Sequence, residues 1–426
     1  MRETTTPGRS PVPAILVSIV VGFFLAVALL LLTAPTASEP VVTGSVMLAF
    51  GLGWALMAWL TTRFTAQPQG WMYVPAVALA GAGVALTMLR PEPAAVDLLG
   101  WVWPVGLAVL AAWMLVQLRR HLRGAGRWLV AGPVVMLLLI AIAGGLVTIA
   151  TAAKPPAAVT AGQFVEVGGR TMYLKCLGTG GPVVLLQAGL GGDSSGWKTI
   201  QAQLMTSTTV CAYDRAGSGW SDPPPTLQDG EALARDLHEL LAEAGVSGPY
   251  VLAGHSSGGP YLRVFAGIYP AEVAGLVLID PQPADAFTAL PDYPAIFDSL
   301  LLTAGAAPSL ARIGLLGPIF GVGPLDVDAA RARSTRDEYR ALPAVLAQAA
   351  KVTSIGAVPL IIVSADTGNP RGWAEAQAAQ RGLSTNSVQR VVEGATHESL
   401  LEADSTASIQ AIRDVLAAVR EDTPLS

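Results

Sequence analysis

A short run around Ser256 has the residue types of a nucleophilic serine. Residues 254–258 read Gly-His-Ser-Ser-Gly, which fits the pattern G-x-S-x-G. The run follows an apolar segment at 250–253 and precedes a helical one at 261–265, and this strand–turn–helix setting is the one in which the pattern carries a reactive serine. Glycines are needed because the turn is too tight for side chains two positions from the nucleophile. We therefore predict that Ser256 is a nucleophile whose hydroxyl stands clear of a sheet.

The elements that must position this serine alternate between strands and helices from residue 162 onward. Apolar runs predict strands at 163–167, 171–177, 182–187, 208–213, 250–253, 276–279, 358–364 and 387–392. Helical periodicity is present at 228–244, 260–268 and 405–420. Such alternation predicts an α/β domain, a doubly wound and mostly parallel sheet with helices on both faces. No strand is predicted at 281–356, where a Leu-, Ala- and Pro-rich sequence indicates a helical cap, called the insertion below.

Several separate motifs make residues 162–420 resemble the α/β-hydrolase superfamily of serine hydrolases. Residues 187–192 (Gln-Ala-Gly-Leu-Gly-Gly) follow a strand where that family usually has His-Gly and then its oxyanion-hole residues. Ala188 replaces the His, a departure that leaves the backbone donor at Leu190 available. Residues 214–221 (Asp-Arg-Ala-Gly-Ser-Gly-Trp-Ser) resemble the family's D-R-x-G-x-G-x-S loop. The resemblance implies an α/β-hydrolase fold with a helical cap and the chain order nucleophile, acid, histidine.

The general base is sought among only four histidines. His238 lies inside a predicted helix and is expected to be structural. The side chain of His255, directly beside Ser256 in the sequence, is expected to point away from the nucleophile. His397 lies in a loop after the last predicted strand, where the family carries its catalytic histidine. The resemblance therefore assigns the role of base to His397.

Two aspartates compete for the acid that orients this histidine. Asp366 follows the strand predicted at 358–364, which is the family's usual place for the acid. Asp280 follows the strand before it, which is the family's less common place. The resemblance favours Asp366, with Asp280 as the alternative. Asp214 and Asp222 are expected to hold the loop that contains Gly217 instead.

The resemblance implies acyl transfer through a covalent acyl-enzyme. His397 would take the proton of Ser256 while Asp366 fixes the imidazole tautomer. Backbone N–H groups of Leu190 and Ser257 would bind the oxyanion, at about 3 kcal/mol of barrier for each donor. No organic cofactor is needed, and the lack of any Cys/His cluster argues against a zinc site.

The expected substrate is a small molecule with an apolar acyl group, most simply a carboxylic ester. The composition of 286–320, dominated by Leu, Ile, Phe, Ala and Pro, predicts a lid over a hydrophobic pocket. Core packing is the alternative explanation for the same residues. Three rival functions stay open on this fold: an aminopeptidase-like hydrolase, a non-enzymatic binding module, and a haloperoxidase-like or acyltransferase activity on the same triad. The presence of a complete Ser, Asp and His set argues against the second.

The first 150 residues have a different character. Five apolar, charge-free stretches of about the ~20 residues that span a bilayer occur there, at 13–33, 41–61, 71–89, 98–118 and 128–150. Pro104 is expected to kink the fourth. The chain as a whole is 52% hydrophobic and only 13% charged, against roughly 25% charged in ordinary soluble domains. These numbers predict an all-α transmembrane region that anchors the chain in a lipid bilayer.

Loop charges predict the orientation of these spans. Seven arginines fall on one side, before the first span, between the second and third, and between the fourth and fifth: Arg2, Arg9, Arg63, Arg119, Arg120, Arg123 and Arg127. The other side has only Arg90 and Lys154. Because cytoplasmic loops are enriched in Lys and Arg, we expect a cytoplasmic N-terminus in the cell membrane and an extracytoplasmic hydrolase domain. A cleaved signal peptide is the alternative for the first span.

The two cysteines, Cys176 and Cys211, are predicted to form a disulfide. In the fold that this chain resembles, their strands are neighbours in the sheet although one strand separates them in sequence. Adjacent strands lie ~4.8 Å apart, which suits a disulfide, and bridges persist outside the cytoplasm. Two buried free thiols are the alternative.

The predicted organisation is therefore a transmembrane region at 1–150, a Pro/Ala linker at 151–161 and a hydrolase domain at 162–426 with its insertion at about 281–356. The hydrolase half contains no basic run, which argues against nucleic-acid binding. Oligomeric state is not encoded in any feature of the sequence.

Overall fold

A computed structural model of the chain describes residues 10–153, 162–319 and 327–425. Its contacts divide the described residues into two compact units, one from 1–157 with 301–333 and one from 158–300 with 334–426. This division differs from the predicted one, because the middle of the insertion groups with the N-terminal helices. Of the sequence-based calls, Arg2, Arg9, Lys154 and positions 154–161 of the linker lie outside the described residues, and positions 151–153 belong to a helix.

The N-terminal part of the first unit is helical. Its α-helices are α1 (Val12–Thr33), α2 (Glu39–Phe64), α3 (Tyr73–Leu89), α4 (Pro93–Leu99), α5 (Trp103–His121) and α6 (Ala125–Ala153), with a 3-10 turn at Gly70–Met72. Four segments are long and apolar enough to cross a membrane, namely α1, α2, Gly70–Leu89 and α6. The predicted fourth span is instead a pair, α4 and α5, bent by 42°. The break precedes Pro104, which lies in the first turn of α5, where proline is tolerated.

Small residues let these helices approach closely. A Cβ atom on Gly22 of α1 would lie 3.2 Å from the Cα of Gly53 in α2. A Cβ on Gly83 of α3 would lie 2.5 Å from the carbonyl oxygen of Gly44, also in α2. Backbone contact through glycines is typical of helices that pack inside a bilayer, where lipid tails are as apolar as leucine.

The second unit is built on one eight-stranded sheet. The strands are β1 (Gln163–Val167), β2 (Arg170–Leu177), β3 (Val184–Gln187), β4 (Val210–Tyr213), β5 (Tyr250–His255), β6 (Val273–Ile279), β7 (Leu360–Ala365) and β8 (Ser387–Val392). Their order is β1-β2-β4-β3-β5-β6-β7-β8. β2 pairs antiparallel with both β1 and β4, and all other pairs are parallel. The predicted doubly wound, mostly parallel sheet is confirmed.

Nine further α-helices follow α6 in the part of the chain that the structure describes. They are α7 (Lys198–Leu204), α8 (Gly230–Glu243), α9 (Gly258–Ile268), α10 (Ala286–Ala289), α11 (Tyr293–Arg312), α12 (Leu316–Ile319), α13 (Ala329–Lys351), α14 (Trp373–Ala379) and α15 (Ser405–Glu421). Short 3-10 turns lie at Ser194–Trp197, Pro270–Glu272, Gln380–Leu383 and Ser399–Leu401. The described residues of the insertion are mostly helical, and its helix α11 also has the length and hydropathy of a membrane span.

The sheet is covered on both faces, since successive strand residues point to opposite sides. Leu185 of β3 packs into one cluster with Leu237 of α8 and Phe265 of α9. Its neighbour Leu186 packs into the other with Trp197 and Ile412 of α15. Strands β3 to β7 are buried along almost their whole length, as expected of parallel strands between two helical layers.

Four charges join the two chain segments of the first unit. Glu39, at the start of α2 and only 2% exposed, pairs with Arg312 and with Arg333. Asp97 of α4 pairs with the same two arginines, 2.6 Å from Arg312 Nη2 and 3.1 Å from Arg333 Nη2. The hydroxyl of Thr43 lies 2.8 Å from that of Ser309. These contacts explain why residues 301–333 group with the N-terminal helices.

The predicted disulfide is present. Cys176 of β2 and Cys211 of β4 lie directly opposite each other in the antiparallel register and are bonded, with their Cα atoms 4.0 Å apart. The bridge closes a separation of 35 residues. It ties the antiparallel edge of the sheet to the parallel part.

Candidate active site

Ser256 lies at the sharp turn between β5 and α9. Its φ of +57° is in the left-handed region, which a non-glycine residue adopts only under constraint. The turn is as tight as predicted. A Cβ on Gly254 would lie 2.7 Å from the carbonyl oxygen of Gly258, and one on Gly258 would lie 2.5 Å from that of Gln187. The backbone thus presents Ser256 at the carboxyl edge of the sheet, partly accessible, with the first turn of α9 beside it.

His397 is paired with an acid at the same edge. Its Nδ1 lies 2.6 Å from Oδ2 of Asp280, the residue directly after β6. The Asp280 side chain is fully buried, while that of His397 is 31% exposed. Since an ionised carboxylate only accepts hydrogen bonds, Nδ1 carries the proton and donates it. In the neutral imidazole, Nε2 then has the lone pair that a general base requires.

Further hydrogen bonds hold Asp280 in place. Its Oδ1 accepts from the indole N–H of Trp373 at 3.0 Å and from the backbone N–H of Ala365 at 3.2 Å. Its own backbone N–H donates to the carbonyl of Val363 in β7 at 2.7 Å. Its φ of +40° is unusual for a non-glycine residue. These contacts aim one carboxylate oxygen at His397 and keep the other occupied.

The preference for Asp366 as the acid is corrected by this geometry. Asp366 is exposed, and its Oδ1 accepts from the backbone N–H of Gly394 at 2.8 Å and from the hydroxyl of Thr367 at 2.9 Å. It therefore holds the loop that leads to His397 without touching the imidazole. The alternative, Asp280, makes the contact that Asp366 was expected to make.

His255 is a site residue that the sequence reasoning set aside. Its ring packs on the ring of His397, with centroids 4.4 Å apart. Its Nε2 lies 3.0 Å from the backbone carbonyl of His397, so it must be the protonated nitrogen. Burial, with a smaller contribution from the neighbouring His397, lowers the pKa of His255 to about 4. A neutral imidazole thus supports the loop. The adjacency to Ser256 was the available signal, since it brings His255 to the same sheet edge.

The predicted oxyanion donors lie beside the serine. Residues 188–192, the oxyanion loop, follow β3, and a Cβ on Gly189 would lie 2.9 Å from the Cβ and 3.5 Å from the Oγ of Ser256. Leu190 follows Gly189, and Ser257 is the residue before α9. Within the described part of the chain, neither of these two N–H groups donates a hydrogen bond to another residue. Both are therefore available to a ligand.

Asp214 and Asp222 hold the loop after β4, as predicted. The buried Asp214 accepts from the N–H of Ser194 at 2.7 Å and of Trp220 at 2.9 Å, and burial raises its pKa. Asp222 accepts from the N–H of Thr171 at 2.9 Å.

His238 plays no part at this edge of the sheet. It stacks on Tyr269 with ring centroids 4.2 Å apart, and its Nδ1 lies 2.8 Å from Glu272. Among residues 10–153, 162–319 and 327–425, no group of three His, Cys, Asp or Glu side chains is placed to hold a metal ion.

Comparisons with known proteins agree with this architecture. A family model described as alpha/beta hydrolase fold matches residues 182–313. The putative carbamate hydrolase RutD of Cronobacter turicensis is 38% identical over 104 residues, which are 24% of this chain and 38% of RutD. The uncharacterized protein YqjL of Bacillus subtilis is 31% identical over 117 residues, 27% of this chain and 46% of YqjL. The chain thus spans less than half the length of these relatives.

A solved structure extends the likeness over the second unit. The Cif epoxide hydrolase of Acinetobacter nosocomialis superimposes with a TM-score of 0.55 at 14% identity, covering 65% of this chain and 96% of that one. At this identity the likeness shows the fold alone. The chain has the α/β-hydrolase fold, joined to an N-terminal region with several helices of membrane-spanning length.

Proposed function

We propose that this protein is a membrane-anchored serine hydrolase that cleaves a carboxylic ester with an apolar acyl group. The observation that carries the proposal is the 2.6 Å contact between His397 and the buried Asp280, at the sheet edge where the turn presents Ser256. A buried acid, a histidine with a free Nε2 and a serine on a strained turn are the parts of an acyl-transfer triad.

The proposed reaction has two halves. The Ser256 Oγ attacks the acyl carbonyl while His397 Nε2 takes its proton, and Asp280 stabilises the resulting imidazolium. The N–H groups of Leu190 and Ser257 bind the oxygen that becomes negative. His397 then protonates the leaving alcohol. In the second half His397 takes a proton from water, which attacks the acyl-enzyme. His397 then returns this proton to Ser256 Oγ as the bond between Oγ and the acyl carbon breaks and the acid is released.

The acyl group is proposed to be apolar because of the insertion. Residues 286–300, which belong to the second unit, carry Phe287, Tyr293 and Phe297, whose rings pack edge to face with centroids 5.0–5.1 Å apart around Phe287. A carbamate is the second candidate substrate, since RutD, named a putative carbamate hydrolase, is a relative. Carbamates present the same kind of carbonyl to the serine.

Covalent labelling tests the nucleophile. We expect a fluorophosphonate probe to label the detergent-solubilised full-length protein at Ser256 and the Ser256→Ala variant not at all. Ser247→Ala is the matched control, since Ser247 is exposed and belongs to a loop before β5. Full labelling of Ser256→Ala, with the label mapped to another residue, would refute the assignment.

A substrate series separates the candidate functions. Turnover of p-nitrophenyl esters should rise from acetate to medium-chain acyl groups if the acyl site is apolar. Better turnover of aminoacyl amides would favour a peptidase, and better turnover of aryl carbamates would favour a carbamate hydrolase. A protein that the probe does not label and that hydrolyses none of the three classes would favour a binding module.

The membrane placement is proposed on the apolar helices and the distribution of arginines. We propose that α1, α2, α3, the bent pair of α4 and α5, and α6 form five spans of the cell membrane, with the N-terminus in the cytoplasm and the hydrolase unit outside, where the Cys176–Cys211 bridge would persist. Protease added to intact cells should then digest the hydrolase unit. Digestion only after lysis would contradict the orientation.

A further inference from the structure

Three carbonyl groups of the oxyanion loop point to one buried side chain. The guanidinium of Arg215, in the loop after β4, donates from Nη1 to the carbonyl of Ala188 at 2.7 Å. From Nη2 it donates to the carbonyls of Gly189 at 2.8 Å and of Gly192 at 3.3 Å. The side chain is 2% exposed. A planar fork of donors is needed to reach several carbonyls at once, and lysine lacks one.

The insertion supplies the partner of this arginine. Glu338 of α13 accepts through Oε1 from Nε of Arg215 at 3.0 Å and from Nη2 at 2.8 Å. Its other oxygen, Oε2, accepts from the backbone N–H of Gly191 at 2.6 Å. Glu338 therefore neutralises Arg215 and also binds the oxyanion loop through the N–H group of Gly191.

Peptide geometry connects these contacts with the proposed chemistry. The carbonyl of Gly189 and the N–H of Leu190 belong to one planar trans peptide unit, so they point in opposite directions. When Arg215 holds the carbonyl on its side, the N–H is turned to the other side. Gly189 itself lies against Ser256. The direction of a proposed oxyanion donor is thus determined by a side chain that does not touch the substrate.

The packing of α13 reinforces the link. A Cβ on Gly191 would lie 3.1 Å from the side chain of Thr335, one turn before Glu338. A Cβ on Gly217, in the loop that carries Arg215, would lie 2.8 Å from the Oγ of Ser334. Ser334 and Thr335 of α13 thus pack directly against both loops, with no room for a side chain at Gly191 or Gly217.

We propose that Arg215 and Glu338 are positioning residues that together orient the oxyanion hole, so that the insertion helix α13 must be in place for the enzyme to stabilise its transition state. The proposal rests on the proposed serine hydrolase function. It assigns the insertion a catalytic role separate from that of a lid over the acyl group.

Ester kinetics of Glu338→Gln in the full-length protein provide the first test. A misdirected donor weakens binding of the transition state but not of the ester, so we expect kcat to fall about 10- to 100-fold with KM within threefold. Arg215→Lys should behave alike, and the double variant should be no worse than the poorer single one, because the two residues act as a unit. Asp337→Asn is the matched control on α13, since Asp337 pairs with Arg336 and Arg340, and should stay within twofold.

An oxyanion mimic gives a readout that a purely structural role would not move. An alkyl boronic acid forms a tetrahedral adduct with the serine, so its inhibition constant should rise in Glu338→Gln in proportion to the fall in kcat/KM. Glu338→Asp serves if Glu338→Gln does not fold, and it should show the same proportionality. Unchanged kcat and boronate affinity in a folded variant would overturn the positioning role. A wild-type protein that fluorophosphonate does not label at Ser256 would instead overturn the proposed function, and this inference with it.

Discussion

Strands β6 and β7 are parallel neighbours, and each is followed by an aspartate at its carboxyl end. Asp280, after β6, is fully buried and contacts His397, whereas Asp366, after β7, is exposed and holds a backbone N–H. The register explains the difference. Ile279 pairs with Val363 in the parallel register. Asp280 is therefore level with Ser364, and Asp366 lies two residues beyond that level along the chain.

Proximity to the end of a strand does not by itself make an acid part of a triad. A carboxylate that orients a base must be held by other donors. Asp280 receives N–H groups from Trp373 and Ala365. Asp366 accepts hydrogen bonds from the N–H group of Gly394 and from the hydroxyl of Thr367. These bonds hold the loop that leads to His397 and do not involve the imidazole itself. Substitutions at these residues test whether the two aspartates have these separate roles.

The largest expected effect is that of Asp280→Asn. The amide of Asn can place an N–H group toward Nδ1 of His397, which favours the tautomer protonated on Nε2. Loss of the orienting acid in such triads lowers the rate about 10³–10⁴-fold. We expect kcat for an ester, and the rate of fluorophosphonate labelling, to fall by that amount. If Asp280→Asn is mild and Asp366→Asn is crippling, the roles of the two aspartates must be exchanged.

The ring of His255 packs on that of His397. Because His255 is held neutral, the free energy of unfolding should decrease at acid pH. Its pKa is lowered to about 4 by burial, against about 6.5 in an unfolded chain. The unfolded state therefore takes up the proton first as the pH falls, and the folded state loses roughly 3 kcal/mol between pH 6.5 and pH 4.

The matched variant is His255→Phe, which keeps a ring against His397 but cannot titrate. Thermal unfolding in detergent, measured at several pH values, should show the wild type losing more stability than the variant as the pH falls through this range. A constant difference between the two proteins from pH 7 to pH 4 would mean that His255 is not held neutral by the fold.

Trp373→Phe should have an intermediate effect on activity. It removes the indole N–H from Oδ1 of Asp280 and keeps most of the ring, which lies nearly perpendicular to that of His397 with centroids 6.3 Å apart. A hydrogen bond to a charged group contributes about 1.5 kcal/mol, so we expect kcat to fall about tenfold. Steady-state ester kinetics measure this, and wild-type kcat would show that Asp280 is held without Trp373.

The smallest effect is expected for Asp366→Asn. The amide oxygen of Asn can still accept from the N–H of Gly394, so the loop before His397 should keep its shape. We expect kcat within twofold of the wild type and a free energy of unfolding within about 0.5 kcal/mol. A loss of activity beyond tenfold would show that the exposed carboxylate acts through its charge.

Much of the fold could be predicted from local patterns. β1 and β8 have the predicted bounds, and the glycine pair at 168–169, both at positive φ, forms the turn between the first two strands. The insertion was less well predicted. Pro308 would be expected to end a helix, yet α11 runs through it to Arg312. Packing in a tertiary structure can offset the cost of a proline inside a helix, and the sequence carries no sign of that packing.

The sequence by itself determined the residues whose constraints are local. Ser256 and its flanking glycines are one turn of backbone, the apolar stretches are single helices, and alternation of strands with helices needs no knowledge of distant contacts. Only the tertiary structure decided which residues meet from distant parts of the chain: Asp280 with His397, Arg215 with Glu338, and Glu39 with Arg312 and Arg333. The reason is that a hydrogen bond extends about 3 Å, so one position of strand register or one turn of a helix decides whether two groups pair. That register is set by the packing of the whole sheet and its helices.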